Sequence, residues 1–284
     1  MRKYLVIGNP IGHSLSPLIH NYWMKKYHLV DSVYEKRKVV EKDLKNIIEE
    51  IREDKIVGVN VTVPFKKLII PFLDELDVVA EETQSVNTLF KVDNKIVGYN
   101  TDSGGFLDSI KELYPRSNDS LKSSPFKGKR IFILGAGGVT SSIISALKNE
   151  GTNIILSNRT KERANELRKL FPELEVLDWG KIPSACNIVI NTTSVGLNDN
   201  EEVKIDFSEY DKNFLKNTLF YDLIYNPKET IFLKKARLRG NKAINGKMMF
   251  LNQARYAFNI WTDILPKIDD EVIKLLDEWL KLEF

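Results

Sequence analysis

Cysteine and histidine are scarce in this 284-residue sequence, which has one cysteine, Cys186, and three histidines. A single cysteine excludes an internal disulfide framework and a cysteine-based zinc site, and it is typical of a reducing compartment. The histidines all lie within the first 28 residues and lack metal-ligand spacing with other His, Cys or acidic residues. We therefore expect a cytoplasmic protein without a metal site.

Long apolar runs and a strong net charge are also missing. The first apolar run has four residues before glycine and proline interrupt it, which is too short for a secretion signal, and no later run could span a bilayer. The 42 Lys and Arg residues against 39 Asp and Glu residues leave a formal net charge of +3. This balance argues against a nucleic acid or a membrane as the main partner.

What is present is a regular alternation of β-branched runs with helical patterns, which is typical of βαβ units and a mostly parallel sheet. The stretch PRSNDSLKSSP, residues 115–125, has two prolines, four serines and almost no apolar residue, as linkers do. The sequence therefore predicts an α/β fold with two α/β domains, 1–113 and 114–245, followed by C-terminal helices over 246–284. A hairpin at Asp93-Asn94 should add an antiparallel element to the first domain.

The stretch KRIFILGAGG, residues 129–138, has the pattern of a buried strand followed by a glycine turn, and a helical pattern follows it. Gly135 would permit the tight turn, Gly137 would let a pyrophosphate approach the backbone, and the N–H groups at the helix start would bind an anion. No lysine followed by Ser or Thr comes after the glycines, which disfavours an NTP-binding loop. We predict a Rossmann-type dinucleotide site, with a glycine turn that binds no ligand as the alternative.

The end of the next strand distinguishes the two nicotinamide dinucleotides. NAD sites place an acidic residue there, whereas this chain reads NRTKER over 158–163. A 2′-phosphate bound by Arg159 and Arg163 forms hydrogen bonds worth roughly 1.5 to 3 kcal/mol each, which more than offset the cost of cations at a helix start. We therefore predict NADP(H), with solvated arginines on an exposed helix start as the alternative.

Polar side chains cluster at strand ends in the first half of the chain. Asn60 and Thr62 lie on one face of a predicted strand, and Asn87 and Asp102 follow later strands. Such side chains suit a polyhydroxylated small molecule, although Asn and Asp also occur in turns for backbone reasons. Lys66 with Asp102 is a suitable pair for moving a proton to or from a carbonyl or alcohol oxygen. The alternative is that Lys66 is a solvated surface lysine.

These motifs and their order resemble the shikimate dehydrogenase family. Nine short motifs carry the resemblance over nearly the whole chain: SLSPLIHN, NVTVPFK, VNT, NTD, GAGG, NRTKER, NTTSVG, YNPKET and a late NG followed by Gln253. The resemblance implies a substrate domain and an NADP-binding domain with both ligands in the cleft between them. It also implies reversible NADPH-dependent reduction of 3-dehydroshikimate to shikimate, in aromatic amino-acid biosynthesis, by a monomer or homodimer.

The resemblance also assigns residues to roles, with Lys66 and Asp102 as the catalytic pair. The implied substrate-binding residues are Ser14, Ser16, Asn60, Thr62, Lys66, Asn87, Asp102, Tyr225 and Gln253. The implied cofactor-binding residues are Gly135, Ala136, Gly137, Gly138, Val139, Asn158, Arg159, Thr160, Arg163, Thr193, Leu223 and Gly246.

The two serines near the N-terminus allow two interpretations. Pro17 suits the first turn of a helix, and Ser16 is expected to cap that helix. Ser14 is left unexplained by capping, and two hydroxyl groups beside the N–H groups of a helix start make a carboxylate site. Shikimate carries one carboxylate, so we expect the stretch both to start a helix and to bind the substrate.

Two other functions remain open at this point. A quinate/shikimate dehydrogenase that uses NAD would share nearly every motif, although Arg159 disfavours it. A non-catalytic NADP(H)-binding sensor could have the same fold, although the presence of both Lys66 and Asp102 argues against it.

Overall fold

The computed structural model describes residues 1–114, 124–198, 200–207 and 217–282. The chain divides into two compact units, one made of Met1–Gly105 with Leu251–Phe284 and the other of Phe106–Phe250. The predicted linker lies outside the described residues except for its last two positions. The chain passes from the first unit to the second after Gly105, ahead of the domain boundary that the sequence predicts at residue 113.

The first unit contains a six-stranded mixed sheet with the order β2-β1-β3-β5-β6-β4. The pairs β1–β2, β1–β3 and β4–β6 are parallel, and β5 is antiparallel to both β3 and β6. The predicted hairpin at Asp93-Asn94 is confirmed, since both residues adopt positive φ between β5 and β6. The strands are β1 (Arg2–Gly8), β2 (Ser32–Lys38), β3 (Gly58–Val61), β4 (Glu75–Leu76), β5 (Thr88–Val92) and β6 (Lys95–Tyr99).

Helices connect these strands and complete the unit at the C-terminal end of the chain. Among the described residues, no helix combines the length and the apolar character needed to cross a bilayer. The helices are α1 (Ser16–Lys26), α2 (Leu44–Arg52), α3 (Phe65–Leu68), α4 (Val78–Thr83), α5 (Asp102–Lys111), α9 (Lys247–Thr262) and α10 (Asp270–Leu282). Helices α5 and α9 each contribute residues to both units.

The second unit is a six-stranded, fully parallel sheet with the order β12-β11-β10-β7-β8-β9. When the strands are numbered from the start of this unit, their order is that of the doubly wound Rossmann fold, so the predicted Rossmann-type fold is confirmed. The strands are β7 (Arg130–Leu134), β8 (Asn153–Ser157), β9 (Glu175–Leu177), β10 (Ile188–Asn191), β11 (Leu219–Asp222) and β12 (Lys242–Asn245). The helices between them are α6 (Thr140–Lys148), α7 (Lys161–Leu170) and α8 (Ile231–Leu238).

Alternate residues of the second sheet form two separate cores. Ile131 and Ile133 of β7 pack into one apolar cluster, whereas Phe132 and Leu134 of the same strand pack into another. This is the period of two that a strand covered on both faces requires. The strand ends are therefore the positions from which this unit can offer polar groups to a ligand.

The first unit contains an aromatic cluster around His20 of α1. The His20 ring stacks on Tyr34 at a centroid distance of 4.3 Å with planes 2° apart, and Trp23, Phe258 and Trp261 surround it. His20 is fully buried, and neither of its ring nitrogens has a hydrogen-bond partner in the described part of the chain. Burial therefore lowers the pKa of His20 from 6.5 to about 3.

This buried histidine makes the stability of the first unit dependent on pH. In the folded state His20 stays neutral until the pH approaches its pKa of about 3. In the unfolded chain the same side chain binds a proton near pH 6.5. His20 therefore contributes full stability above the unfolded pKa, and this contribution is lost as pH falls below it. We expect the His20-dependent part of the free energy of unfolding to fall by about 2 kcal/mol from about pH 7.5 to about pH 5.

Urea denaturation followed by tryptophan fluorescence measures this loss, because Trp23 and Trp261 lie beside His20. The matched variant is His20→Phe, which keeps an aromatic ring in the cluster and removes the titrating group. Equal pH dependence of unfolding in the wild type and in this variant would contradict the assignment.

Candidate active site

A buried ion pair stands at the centre of the polar residues in the first unit. Lys66 lies in the short helix α3 just after β3, and Asp102 is the first residue of α5 just after β6. Lys66 Nζ lies 2.5 Å from Asp102 Oδ2, and the two side chains are only 12% and 7% exposed. Because little water reaches the pair, its attraction is screened far less than that of a surface pair. Lys66 is therefore not a solvated surface lysine.

Two asparagines hold Asp102 in place, Asn87 at its carboxylate and Asn100 at its backbone. Asn87 Nδ2 donates to Asp102 Oδ1 at 3.0 Å and to Thr101 Oγ1 at 2.8 Å. Asn100 Oδ1 accepts the backbone N–H of Asp102 at 3.0 Å. All four residues are buried. One carboxylate oxygen thus faces Asn87 and the other faces Lys66, so the ammonium group has one defined orientation.

Asn60 lies deeper in the same network. Its Nδ2 donates to the backbone oxygen of Asn87 at 3.1 Å and to Thr88 Oγ1 at 3.0 Å, and its Oδ1 accepts from the Tyr34 hydroxyl at 2.7 Å. Both amide N–H groups of Asn60 are therefore engaged within the protein. Contact between Asn60 and a substrate stays a prediction.

Ser14 and Ser16 lie at the start of α1, which follows β1. Helix α1 begins at Ser16 with Leu15 at the N-cap and without a side-chain cap, so the prediction that Ser16 caps the helix was wrong. Ser14 Oγ accepts the backbone N–H of Ser16 at 3.4 Å and lies 3.3 Å from Ser16 Oγ. The two hydroxyl groups are adjacent, as a carboxylate site requires.

Close backbone approaches bring two further predicted residues to this region. A Cβ on Gly8, the last residue of β1, would lie 2.6 Å from Thr62 Cγ2. A Cβ on Gly105 in α5 would lie 2.7 Å from the backbone nitrogen of Gln253 in α9. Since real Cβ atoms do not approach other atoms so closely, both positions need glycine. Thr62 thus lies beside the end of β1, and Gln253 lies beside the helix that begins with Asp102.

Tyr225, also predicted to bind substrate, belongs to the second unit. Its ring stacks on Phe250 at a centroid distance of 4.7 Å. The other predicted substrate-binding residues all belong to the first unit.

The glycine turn of the second unit follows β7. Gly135 has φ +108°, and a Cβ there would lie 2.8 Å from Thr192 Oγ1, so the turn requires glycine. The Ala136 N–H donates to Asn158 Oδ1 and the Gly137 N–H donates to Thr140 Oγ1, each at 3.0 Å. These hydrogen bonds hold the turn against the end of β8 and the start of α6.

Space beside the turn fits a pyrophosphate. A Cβ on Gly138 would meet no atom within 4 Å, and one on Gly137 would meet only the Thr192 backbone oxygen at 3.9 Å. The next predicted position, Val139, is the N-cap of α6, so the helix N-terminus points its positive dipole end toward this space. The residues present therefore fit a dinucleotide.

The residues after β8 fit a phosphate on the ribose. Arg159 and Arg163 are exposed, and within the described residues neither guanidinium group forms an ion pair. Lys161 between them pairs with Asp178 at 2.6 Å, and Thr160 is the N-cap of α7 without a side-chain hydrogen bond. Two cations and no carboxylate at the end of β8 suit a 2′-phosphate and disfavour the hydroxyl pair of NAD.

The remaining predicted cofactor residues follow β10, β11 and β12. Thr193 Oγ1 donates to Asn191 Oδ1 at 2.7 Å. A Cβ on Gly246 would lie 2.0 Å from the Leu223 backbone oxygen, so these two residues are in direct contact. The structure thus brings all the predicted cofactor residues to the carboxyl ends of parallel strands, where doubly wound folds bind ligands.

Sequence reasoning missed Tyr34, Thr88 and Asp222. Asp222 accepts hydrogen bonds from Asn191, Ile224 and Thr230 and so connects the segments after β10 and β11, and burial raises its pKa to about 6. In the sequence, Tyr34 is notable only as the single aromatic residue of the strand SVYEKRK, which is mostly charged. Thr88 lies in the motif VNT, but a threonine in a strand is ordinary and does not by itself indicate a role in a hydrogen-bond network.

Comparison with known proteins agrees with this geometry. Two family models match: "Shikimate dehydrogenase substrate binding domain" over residues 6–89 and "Shikimate / quinate 5-dehydrogenase" over residues 119–227. Shikimate dehydrogenase (NADP(+)) of Pelagibacter ubique is 50% identical over 277 residues, which cover 97% of this chain and 99% of the relative.

Solved structures are similar over nearly the full length. A shikimate dehydrogenase in complex with NADP+ is 34% identical with a TM-score of 0.84, covering 98% of this chain and 96% of that one. Shikimate 5-dehydrogenase from Listeria monocytogenes, in complex with shikimate and NAD, is 28% identical with a TM-score of 0.84, covering 97% of this chain and 96% of that one.

The contact between Gly246 and Leu223 predicts the effect of a methyl group. Gly246→Ala forces the backbone after β11 or β12 to move, so we expect it to lower the stability of the second unit by about 1 to 3 kcal/mol. Thermal unfolding measures this loss. Gly138→Ala is the matched control, since its new methyl group meets open space, and it should unfold like the wild type. Equal unfolding temperatures for both variants would refute the close approach.

Proposed function

Because the chain belongs to the shikimate dehydrogenase family, we propose that Lys66 and Asp102 move the proton in the reaction that it catalyses, the reversible NADPH-dependent reduction of 3-dehydroshikimate to shikimate. The observation that carries this proposal is the buried contact of 2.5 Å between Lys66 Nζ and Asp102 Oδ2. A buried lysine with one orienting carboxylate is suited to general acid and base chemistry at an oxygen atom.

The proposed mechanism assigns one step to each side chain. When bound, NADPH would supply the hydride for the carbonyl carbon. Lys66 Nζ donates a proton to the carbonyl oxygen and becomes a neutral amine, and in the reverse direction it takes the proton from the hydroxyl group. Asp102 keeps Nζ oriented through Oδ2, while Asn87 prevents the carboxylate from turning.

The same proposal covers substrate binding. Ser14 and Ser16 bind the carboxylate beside the start of α1, where the helix N-terminus favours an anion. The ring hydroxyls are bound by Thr62, Asn87, Asp102 and Gln253, with Tyr225 as a further substrate contact. Each supplies a hydroxyl, amide or carboxylate group of the kind that recognises polyols.

NADP(H) is the cofactor of this enzyme, as it is for the relative from Pelagibacter ubique. We propose that Arg159 and Arg163 bind its 2′-phosphate and that the turn Gly135 to Val139 binds its pyrophosphate. Leu223 and Gly246 would then lie near the nicotinamide. Support comes from the two exposed guanidinium groups and from the lack of a carboxylate at the end of β8.

We also propose that the protein works in the cytoplasm as a monomer or a homodimer. Its single cysteine, Cys186, is buried, and one cysteine cannot form an internal disulfide, which suits a reducing compartment. A small-molecule substrate requires neither a nucleic acid nor a membrane as partner.

Four reactions test the function. Purified protein is mixed with shikimate or quinate, each with NADP+ or NAD+, and nicotinamide absorbance is followed. Turnover with shikimate and NADP+ is expected to be the fastest. Faster turnover with quinate and NAD+ would favour the quinate/shikimate dehydrogenase, and no turnover in any reaction would favour a non-catalytic sensor.

Removal of the proposed proton donor should lower turnover far more than it changes affinity. Lys66→Met is expected to reduce kcat by about 10²- to 10⁴-fold with a smaller change in the KM for shikimate, because a proton donor acts chiefly in the transition state. Steady-state kinetics measure both constants. The neighbouring exposed lysine gives the matched control Lys67→Met, which should keep normal turnover. Near-normal kcat in Lys66→Met would remove Lys66 from the mechanism.

Loss of one arginine should affect only the phosphorylated cofactor. Arg159→Ala is expected to raise the KM for NADP+ by about 10- to 100-fold and to leave the KM for NAD+ nearly unchanged, because only NADP+ carries the 2′-phosphate. The control is Arg168→Ala, an exposed arginine in the last turn of the same helix α7. Equal losses of affinity for both cofactors in Arg159→Ala would refute this role.

A further inference from the structure

A continuous row of hydrogen bonds joins Tyr34 of β2 to the Lys66–Asp102 pair. The Tyr34 hydroxyl donates to Asn60 Oδ1 at 2.7 Å. Asn60 Nδ2 then donates to Thr88 Oγ1 at 3.0 Å. The row continues from Thr88 Oγ1 to Asn87 Oδ1 and from Asn87 Nδ2 to Asp102 Oδ1, each at 3.0 Å.

Tyr34 is the first member of this row. It lies in the middle of β2 and is only 1% exposed. His20 stacks on one face of its ring, and the centroid of the Trp261 ring lies 6.1 Å away. Because burial raises the pKa of the Tyr34 phenol, the hydroxyl keeps its proton and remains a donor.

We propose that Tyr34 is a positioning residue for this reaction, acting through Asn60 on the carboxylate of Asp102. Tyr34 does not touch the reacting atoms in this scheme. Its hydroxyl fixes which way the Asn60 amide faces, since Oδ1 must accept from Tyr34 and Nδ2 must donate to Thr88. Thr88 in turn orients Asn87, and Asn87 orients Asp102.

The network gives Tyr34 this influence because every member is buried. Without the Tyr34 hydroxyl, Asn60 Oδ1 would face an apolar ring with no donor, which is unfavourable for a buried acceptor. The amide can relieve this only by turning, and turning breaks its hydrogen bonds to Thr88 and to the Asn87 backbone. Asn87, which orients Asp102, then loses its contact to Asn60, and Thr88, which donates to Asn87, loses its contact to Asn60 as well.

The test compares Tyr34→Phe with a matched control that the same unit offers. Tyr4 is also a buried tyrosine, it contacts Trp261 at a centroid distance of 5.4 Å, and its hydroxyl has no hydrogen-bond partner among the described residues. Tyr4→Phe therefore removes a buried hydroxyl without cutting a network. Both variants keep the aromatic ring, so both should fold.

The inference rests on the proposed function, and steady-state kinetics with shikimate and NADP+ separate the two. Turnover by the wild type tests the function. Tyr34→Phe tests the inference, with an expected loss of about tenfold in kcat, a smaller change in the KM for shikimate and no change in the KM for NADP+. Tyr4→Phe should keep the wild-type kcat. Equal kcat values for the two variants, or a loss in Tyr34→Phe that appears equally in the KM for NADP+, would overturn the inference.

A double variant and a crystal structure distinguish a positioning role of Tyr34 from a merely structural one. Asn60→Ala removes the residue through which Tyr34 acts, so adding Tyr34→Phe to it should change kcat little further. Additive losses would overturn the inference. In a crystal structure of Tyr34→Phe, the Asn60 amide is expected to turn and the contact from Asn87 Nδ2 to Asp102 Oδ1 to lengthen. An unchanged network would overturn the inference whether or not the wild type turns over shikimate.

Discussion

The ion pair of Lys66 with Asp102 is the interaction on which the site of the first unit depends. Two charges with so little exposure are costly to bury, and they are stable only when their remaining hydrogen-bonding groups are satisfied. The neighbouring residues meet this need: Asn87 supplies a donor to the free carboxylate oxygen, and Asn100 anchors the backbone at Asp102. The asparagines and threonines at these strand ends therefore stabilise one charged pair by hydrogen bonds and also offer hydrogen-bonding groups to a polyol.

Strand direction explains how residues far apart in the chain reach one site. In the first unit, β1, β3 and β6 finish at the same end of the sheet, and the antiparallel β5 starts there. The residues at this end are Gly8, Thr62, Asn100 and Asn87. In the second unit, the glycine turn and the residues after β8, β10, β11 and β12 all follow the carboxyl ends of parallel strands. Polar groups collect at these edges because the strand interiors are buried by apolar clusters, which leaves only the ends for chemistry.

Several features of the fold and site could be predicted because their signals are local. The glycine turn after a buried strand, the cationic stretch after the next strand and the Asp93-Asn94 hairpin each depend on a few consecutive residues and on backbone rules. The capping prediction for Ser16 failed because the helix begins one residue earlier than the position of Pro17 suggests, so that Leu15 is the N-cap and Ser16 is already helical.

The sequence by itself determined the α/β class, the Rossmann-type unit, the preference for NADP and the residue types available for proton transfer, since these follow from periodicity, from glycine and from charge at identifiable strand ends. Only the tertiary structure decided that Lys66 and Asp102 meet, that both amide N–H groups of Asn60 are engaged, and that Tyr34 is joined to this network through Asn60. The reason is physical: a hydrogen bond between buried side chains depends on distances and directions of a few ångströms, which strand pairing sets and which sequence separation does not encode.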